Sequence, residues 1–187
     1  MILYPTETLY ALGVNALDER ELNILFELKE RDADKAVSWL VRDIEDIKKY
    51  ADFPESALKI ATHFLPGKIT LILKARLTVS DGVVGPDRTI GFRISSDEKA
   101  KELIGKFMND HGAPLTCTSA NVSGSPTLQT PSEILQQFGK NASMIDAIID
   151  DGPRKSLAST IVRVVGEDVT VLREGEISED RIKQALR

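Results

Sequence analysis

The residues of this chain that could carry chemistry fall into two groups: small hydroxyl and amide side chains gathered in clusters, and cations set inside apolar runs. The densest cluster is TSANVSG, Thr118 to Gly124, which holds no charge. A surface turn uses two or three such residues, because Ser, Asn and Gly bond nearby backbone or tolerate positive φ. A longer run lets the backbone approach a ligand closely and offers hydroxyl and N–H groups to phosphate, ribose or a base edge without adding charge. An ornate turn ahead of the next helix explains the same heptamer without a ligand. The second cluster is PTET at 5–8, followed by Tyr10. Pro5 fixes the chain as extended, so Thr6, Glu7 and Thr8 offer two hydroxyls and a carboxylate at the end of a short apolar stub. A strand end with a helix cap to follow accounts for it too.

Arg93 inside TIGFRIS and Arg173 inside VTVLREG lie in β-rich runs. Such an arginine must face solvent, pair with an acid, or line a cleft that takes an anion. Lys29 and Arg31 close a helix, where dipole compensation alone would explain them. Joined to the two arginines, they could line a phosphate site. His63 and His111 fall on separate expected helices with no acidic or histidine partner at ligand spacing, so no protein-held metal is expected. Cys117 lies in an apolar strand and reads as a buried structural thiol. The usual nucleotide fingerprints are missing, since there is no GxGxxG and Gly67-Lys68-Ile69-Thr70 lacks the upstream glycine of a phosphate loop.

These residues need elements to position them. DERELNILFELKE (18–30) sets Leu22, Leu25, Phe26 and Lys29 at helical spacing, with a last turn near Arg31. VSWLV (37–41) reads as a buried strand. DIEDIKKYA and PESALKIATHF read as a helix pair, the second with Pro54 at its first helical position and its end before Pro66-Gly67. ITLILK (69–74), TIGFRI (89–94), PLTCTS (114–119), AIID (147–150), STIVRVV (159–165) and VTVLRE (169–174) are strands by length and composition. DEKAKELIGKFMNDHG is a helix closed by Gly112. Thr130-Pro131-Ser132-Glu133 is a capping box, and Ser178 opens a last short helix. Strands interleaved with helices predict an α/β sheet covered by helices, with an antiparallel hairpin at 159–174.

With 187 residues the chain suits one domain, 1–187, long enough for a real core. Its 42% hydrophobic and 28% charged residues exclude a disordered or membrane class. The start, MILYPTETLY, shows no secretory signal, and one cysteine allows no disulfide framework, so a reducing cytoplasm is expected. A net charge of -5 argues against nucleic-acid binding by the surface as a whole, so an anionic ligand must meet a local basic pocket.

In order along the chain stand PTETLYALG (5–13), KER (29–31), PGKIT (66–70), TIGFR (89–93), TSANVSG (118–124), STIV (159–162) and REG (173–175). Together they resemble the YrdC-like family, whose pattern runs PT(D/E)TxYGLG, KxR, PGxxT, TxxxR, TSANxSG, STxV and RxG. The resemblance implies an open, twisted mixed sheet flanked by helices, with a concave basic cleft. It also implies synthesis of L-threonylcarbamoyl-adenylate from L-threonine, bicarbonate or carbon dioxide, and ATP with Mg²⁺, releasing pyrophosphate. A separate tRNA threonylcarbamoyl transferase machinery would take the product, with possible tRNA contact and no membrane. By position, Thr8, Arg93 and Ser159 should hold threonine, while Lys29, Arg31, Thr89, Thr118, Ser119, Asn121 and Arg173 should hold ATP. No side chain need be a nucleophile; Lys29, Arg31, Ser119 and Asn121 would act by placement and charge stabilisation. The chain departs from the pattern at Ala11 and Lys68, in the 32–36 loop with Asp32 and Asp34, and in having only Met1 to Tyr4 ahead of PTET, so that N-terminal edge elements are expected to be missing. Those departures keep a second expectation open, an RNA- or nucleotide-binding module of the same fold without synthase activity.

Overall fold

The computed structural model describes residues 1–31 and 37–187; the 32–36 loop, with Asp32, Asp34 and Lys35, lies outside the described residues. The strands are β1 (Ile2–Pro5), β2 (Tyr10–Gly13), β3 (Trp39–Leu40), β4 (Ile69–Lys74), β5 (Thr89–Arg93), β6 (Leu115–Thr116), β7 (Thr118–Ser119), β8 (Ala147–Ile148), β9 (Thr160–Val165) and β10 (Asp168–Arg173). Among the described residues they form two mixed sheets, ordered β7-β2-β1-β8 and β10-β9-β4-β5-β3-β6. The helices are α1 (Glu19–Lys29), α2 (Ile44–Tyr50), α3 (Glu55–Phe64), α4 (Glu98–His111), α5 (Pro131–Phe138) and α6 (Glu179–Ala185).

Strand alternation assigns the faces of the larger sheet, since successive side chains point to opposite sides. Ile69, Leu71 and Leu73 of β4, Ile90 and Phe92 of β5, and Val162 and Val164 of β9 join Ile47 of α2, Ile60 of α3 and Ile182 of α6 in one core. The other positions, Thr70, Ile72, Gly91, Arg93 and Ile161, are thereby left to face a cavity. The smaller sheet is covered on one side by Leu22, Leu25 and Leu28 of α1 with Ile134 and Phe138 of α5. Ala100, Ile104 and Met108 of α4 pack against Tyr4, Ala11, Leu40 and Leu115.

The expected mixed α/β architecture stands, with changes that matter for the site. The single strand expected at 114–119 is two: Leu115–Thr116 pairs with Trp39–Leu40 in one sheet, and Thr118–Ser119 pairs with Ala11–Leu12 in the other. Cys117 sits at the switch, its N–H donating to the Ser38 carbonyl. The chain therefore stitches the two sheets together beside the heptamer. The apolar stub is strand β1, which pairs antiparallel with β2 and parallel with β8. PTET does not lead into a helix cap; it turns a hairpin. Thr6 Oγ1 accepts from the N–H groups of Thr8 and Leu9, which holds the turn closed. Pro54 is the N-cap of α3 rather than its first helical residue. The Thr130 capping box, the Gly112 stop and the 159–174 hairpin match expectation. No helix among the described residues is long and apolar enough to cross a membrane.

Candidate active site

A cavity of about 260 Å³ opens between the cavity-facing side of the larger sheet and the hairpin end of the smaller one. Its lining includes Thr6, Thr8, Arg31, Thr70, Gly91, Arg93, Thr118, Ser119, Ser159 and Arg173 and holds no carboxylate among the described residues. It lies just under the size usual for small-molecule sites, so a nucleotide beside an amino acid has to extend out of it.

Arg93 ends β5 in the lining of the cavity and is 7% exposed. Its Nη2 donates to Glu7 Oε1 and, at 3.1 Å, to Thr8 Oγ1, while Ser95 Oγ donates to the other Glu7 oxygen. The hairpin turn and the sheet thus share one ion pair. Arg93 Nε is buried without a hydrogen-bond partner among the described residues. A buried N–H of that kind is costly unless something supplies an acceptor.

Ser159 precedes β9 and is 3% exposed, its Oγ 3.0 Å from Thr70 Oγ1. Arg173 closes β10 and donates from Nε (3.1 Å) and Nη2 (2.8 Å) to the Ser159 carbonyl. This approach depends on Gly175, where a Cβ would stand 2.2 Å from the Ala158 carbonyl oxygen. Burial first, and then the Arg93 charge, pull the Arg173 pKa below its ordinary value. Burial does the same to Arg31. Arginine stays charged regardless. Among the described residues the cavity lining thus holds three guanidinium groups, of Arg31, Arg93 and Arg173, with the Glu7 carboxylate paired to Arg93 beside it.

The heptamer is held from behind. Lys29, 1% exposed, donates from Nζ to the carbonyls of Ser119 and, at 2.7 Å, of Asn121. Ser123 N–H donates in turn to the Lys29 carbonyl. Ser119 Oγ meets Asn121 Oδ1, and Asn121 Nδ2 donates to the carbonyls of Val122 and Ser125. Gly124 takes a φ of 81°, a value glycine adopts without strain. Burial and the nearby Arg31 charge lower the Lys29 pKa to about 7.

The cavity therefore gathers Thr8, Arg31, Arg93, Thr118, Ser119, Ser159 and Arg173. Lys29 stands behind the heptamer, Asn121 within it turns its side chain to Ser119, Val122 and Ser125 and is not in the lining, and Thr89 lies at the far end of β5 from Arg93, on the same face but beyond the lining. Cys117 lines the cavity, and burial pushes its thiol up although Arg93 pulls it down, so it remains protonated and structural. Thr70 was within reach of sequence reading, since it closes the PGKIT motif. Ser38 and Thr127 also line the cavity, and no pattern in the sequence marks them.

The Sua5/YciO/YrdC family model, described as telomere recombination, matches residues 1–175. A Methanocaldococcus jannaschii protein with the provisional name threonylcarbamoyl-AMP synthase is 36% identical over 95% of this chain and 80% of its own length. The threonylcarbamoyl-AMP synthase of Pyrococcus abyssi is 32% identical over 100% of this chain, which spans 53% of that protein. The crystal structure of P. abyssi Sua5 complexed with L-threonine superimposes with a TM-score of 0.87 at 30% identity, over 98% of this chain and 53% of that one.

Proposed function

The chain belongs to the Sua5/YciO/YrdC family, and from that premise we propose that it joins L-threonine, bicarbonate or carbon dioxide, and Mg-ATP into L-threonylcarbamoyl-adenylate and pyrophosphate. The observation that carries the proposal is that Arg93, Thr8 and Ser159 line one cavity together with Arg31, Arg173, Thr118 and Ser119. An amino acid presents a carboxylate for a guanidinium and a hydroxyl for Thr8 or Ser159. Arg93 Nε, which has no hydrogen-bond partner among the described residues, would be a donor for that carboxylate.

In the reaction, the deprotonated amine of threonine attacks the carbon of carbon dioxide and releases a proton to solvent, or attacks the carbon of bicarbonate with loss of water, and forms a carbamate. A carbamate oxygen then attacks the α-phosphorus of ATP, and the bond to the β-phosphate oxygen breaks to release pyrophosphate. The protein's part is to hold the reacting atoms together and offset charge on the phosphates. Arg31 and Arg173 serve the second task. Lys29 and Asn121 give the heptamer its shape, so that its small residues leave room for nucleotide. Mg²⁺ bound to ATP would be held by phosphate oxygens and water and would offset phosphate charge; Glu7 faces Arg93 and Ser95. The adenylate is then a substrate for a separate transferase acting on tRNA, reached in the cytoplasm.

A pair of substitutions separates this reading from a nucleic-acid-binding module. Lys29→Ala and Asn121→Ala should abolish threonine-dependent pyrophosphate release while salt-dependent RNA affinity, if any, stays as it was. Turnover that survives both changes contradicts the proposed role of the heptamer.

A further inference from the structure

Arg154 belongs to none of the motifs named above, yet its guanidinium ties the hairpin turn to two other parts of the chain. Nε donates to the Thr6 carbonyl at 3.0 Å, Nη2 to Asp97 Oδ2 at 2.9 Å and to Asp151 Oδ2 at 2.7 Å, and Nη1 to the Asp151 carbonyl at 2.7 Å. The side chain is 16% exposed and its carbon Cζ lies 5.8 Å from the centre of the Tyr10 ring. Tyr10 binds the same segment from the other side, its hydroxyl donating to the Gly152 carbonyl at 2.8 Å and accepting from Asp151 N–H at 3.0 Å.

Each of these partners leads to a threonine-site residue. Thr6 Oγ1 lies 3.0 Å from Thr8 Oγ1, so the carbonyl that Arg154 grips belongs to the turn that presents Thr8. Asp97 N–H donates to Ser95 Oγ, and Ser95 donates to Glu7, the partner of Arg93. Five residues beyond Arg154 stands Ser159, with Ala158 in the cavity wall between them. A planar fork with donors on three sides suits this junction, and a lysine cannot span it.

We infer that Arg154 is a positioning residue for the amino-acid half of the cavity: it fixes Thr8 through Thr6, steadies the Glu7–Arg93 pair through Asp97 and Ser95, and anchors the segment that delivers Ser159. The inference rests on the proposed threonine-dependent reaction. It predicts a split between the two substrates, because the hydrogen bonds that the Arg154 guanidinium makes among the described residues go to Thr6, Asp97 and Asp151 and none goes to the heptamer.

The test is steady-state pyrophosphate release by the wild-type chain and by Arg154→Lys, with KM measured separately for L-threonine and ATP and thermal unfolding followed alongside. The expected result is a KM for threonine raised about ten-fold, the size of one lost charge-assisted hydrogen bond, with KM for ATP and kcat changed less than about two-fold. Asp97→Asn retains a good N-cap for α4 but removes the carboxylate opposite Arg154, and should raise the same KM less. If Arg154→Lys does not fold, that variant decides the matter, and an unchanged threonine KM in it overturns the inference. So does an unchanged threonine KM in folded Arg154→Lys, or a rise in both KM values together with a lower melting temperature, which marks a general structural role. A wild-type chain that releases no pyrophosphate with threonine overturns the reaction itself, and this assignment with it.

Discussion

Arg93 shares its Nη2 between Glu7 and Thr8, and its Nε has no partner among the described residues. Arg93→Lys keeps a cation opposite Glu7 but loses the planar fork. It should raise the KM for threonine about ten-fold or more with a smaller effect on ATP, and an unchanged KM would remove Arg93 from the carboxylate site. Lys29 yields a prediction of a different kind. Folding lowers its pKa from 10.5 to about 7, so the unfolded chain holds the proton more tightly. The cost of its buried charge is fully present below pH 7 and is relieved as pH rises toward 10.5, so stability should increase across that window. Lys29→Met should flatten the slope, as measured by urea unfolding at several pH values. The arginines and the heptamer were legible in the sequence because their types are unusual for their settings. That Lys29 turns inward to two carbonyls was not, since the same lysine at a helix end satisfies the dipole equally well from outside.

At the scale of elements, two glycines separate fold from site. Gly175 lets the end of β10 lie against the start of β9, and a Cβ there would meet Ala158 and Thr160 backbone at 2.2 and 2.8 Å. Backbone cannot yield as a side chain does, so Gly175→Ala should cost about 1–3 kcal/mol of stability and displace Arg173 from Ser159. Gly91 lies in the cavity wall, where a Cβ would meet Ser38 Oγ at 2.8 Å and Thr70 Cγ2 at 3.2 Å. Gly91→Ala should therefore impair threonine binding more than it lowers the melting temperature; a large thermal loss with unchanged KM would refute that division. Strand and helix positions followed from periodicity, capping and turn residues. The break within 114–119 did not, because PLTCTS alternates as one strand would, and only its two different partners divide it at Cys117. The hairpin at PTET was hidden for a related reason: a four-residue strand such as Ile2–Pro5 carries too little pattern to be told from a stub.

For the whole molecule, the mixed α/β architecture was legible from the interleaving of strands and helices, whereas its division into two sheets was not. Long-range pairing, which single-sequence periodicity does not encode, decides that division. The sheets are nonetheless joined, by the Asn15–Leu115 bridge and by Thr116, whose Oγ1 donates to the Leu12 carbonyl and accepts from Val14 N–H. They should unfold together. Trp39, the chain's one tryptophan, lies in β3 of the larger sheet, edge-on to Tyr50 and Phe92 and 1% exposed. Its fluorescence and the far-ultraviolet circular dichroism should give coincident denaturation curves; separated midpoints would show that the sheets are independent. The same joining is what holds Thr8 of one sheet against Arg93 of the other, and the proposed reaction depends on it. Pyrophosphate release by the purified chain in Mg-ATP and bicarbonate, with and without L-threonine and with L-serine for comparison, tests that reaction most directly. Release should require an amino acid and be faster with threonine than with serine. Release that ignores the amino acid, or none from a folded chain, would contradict it.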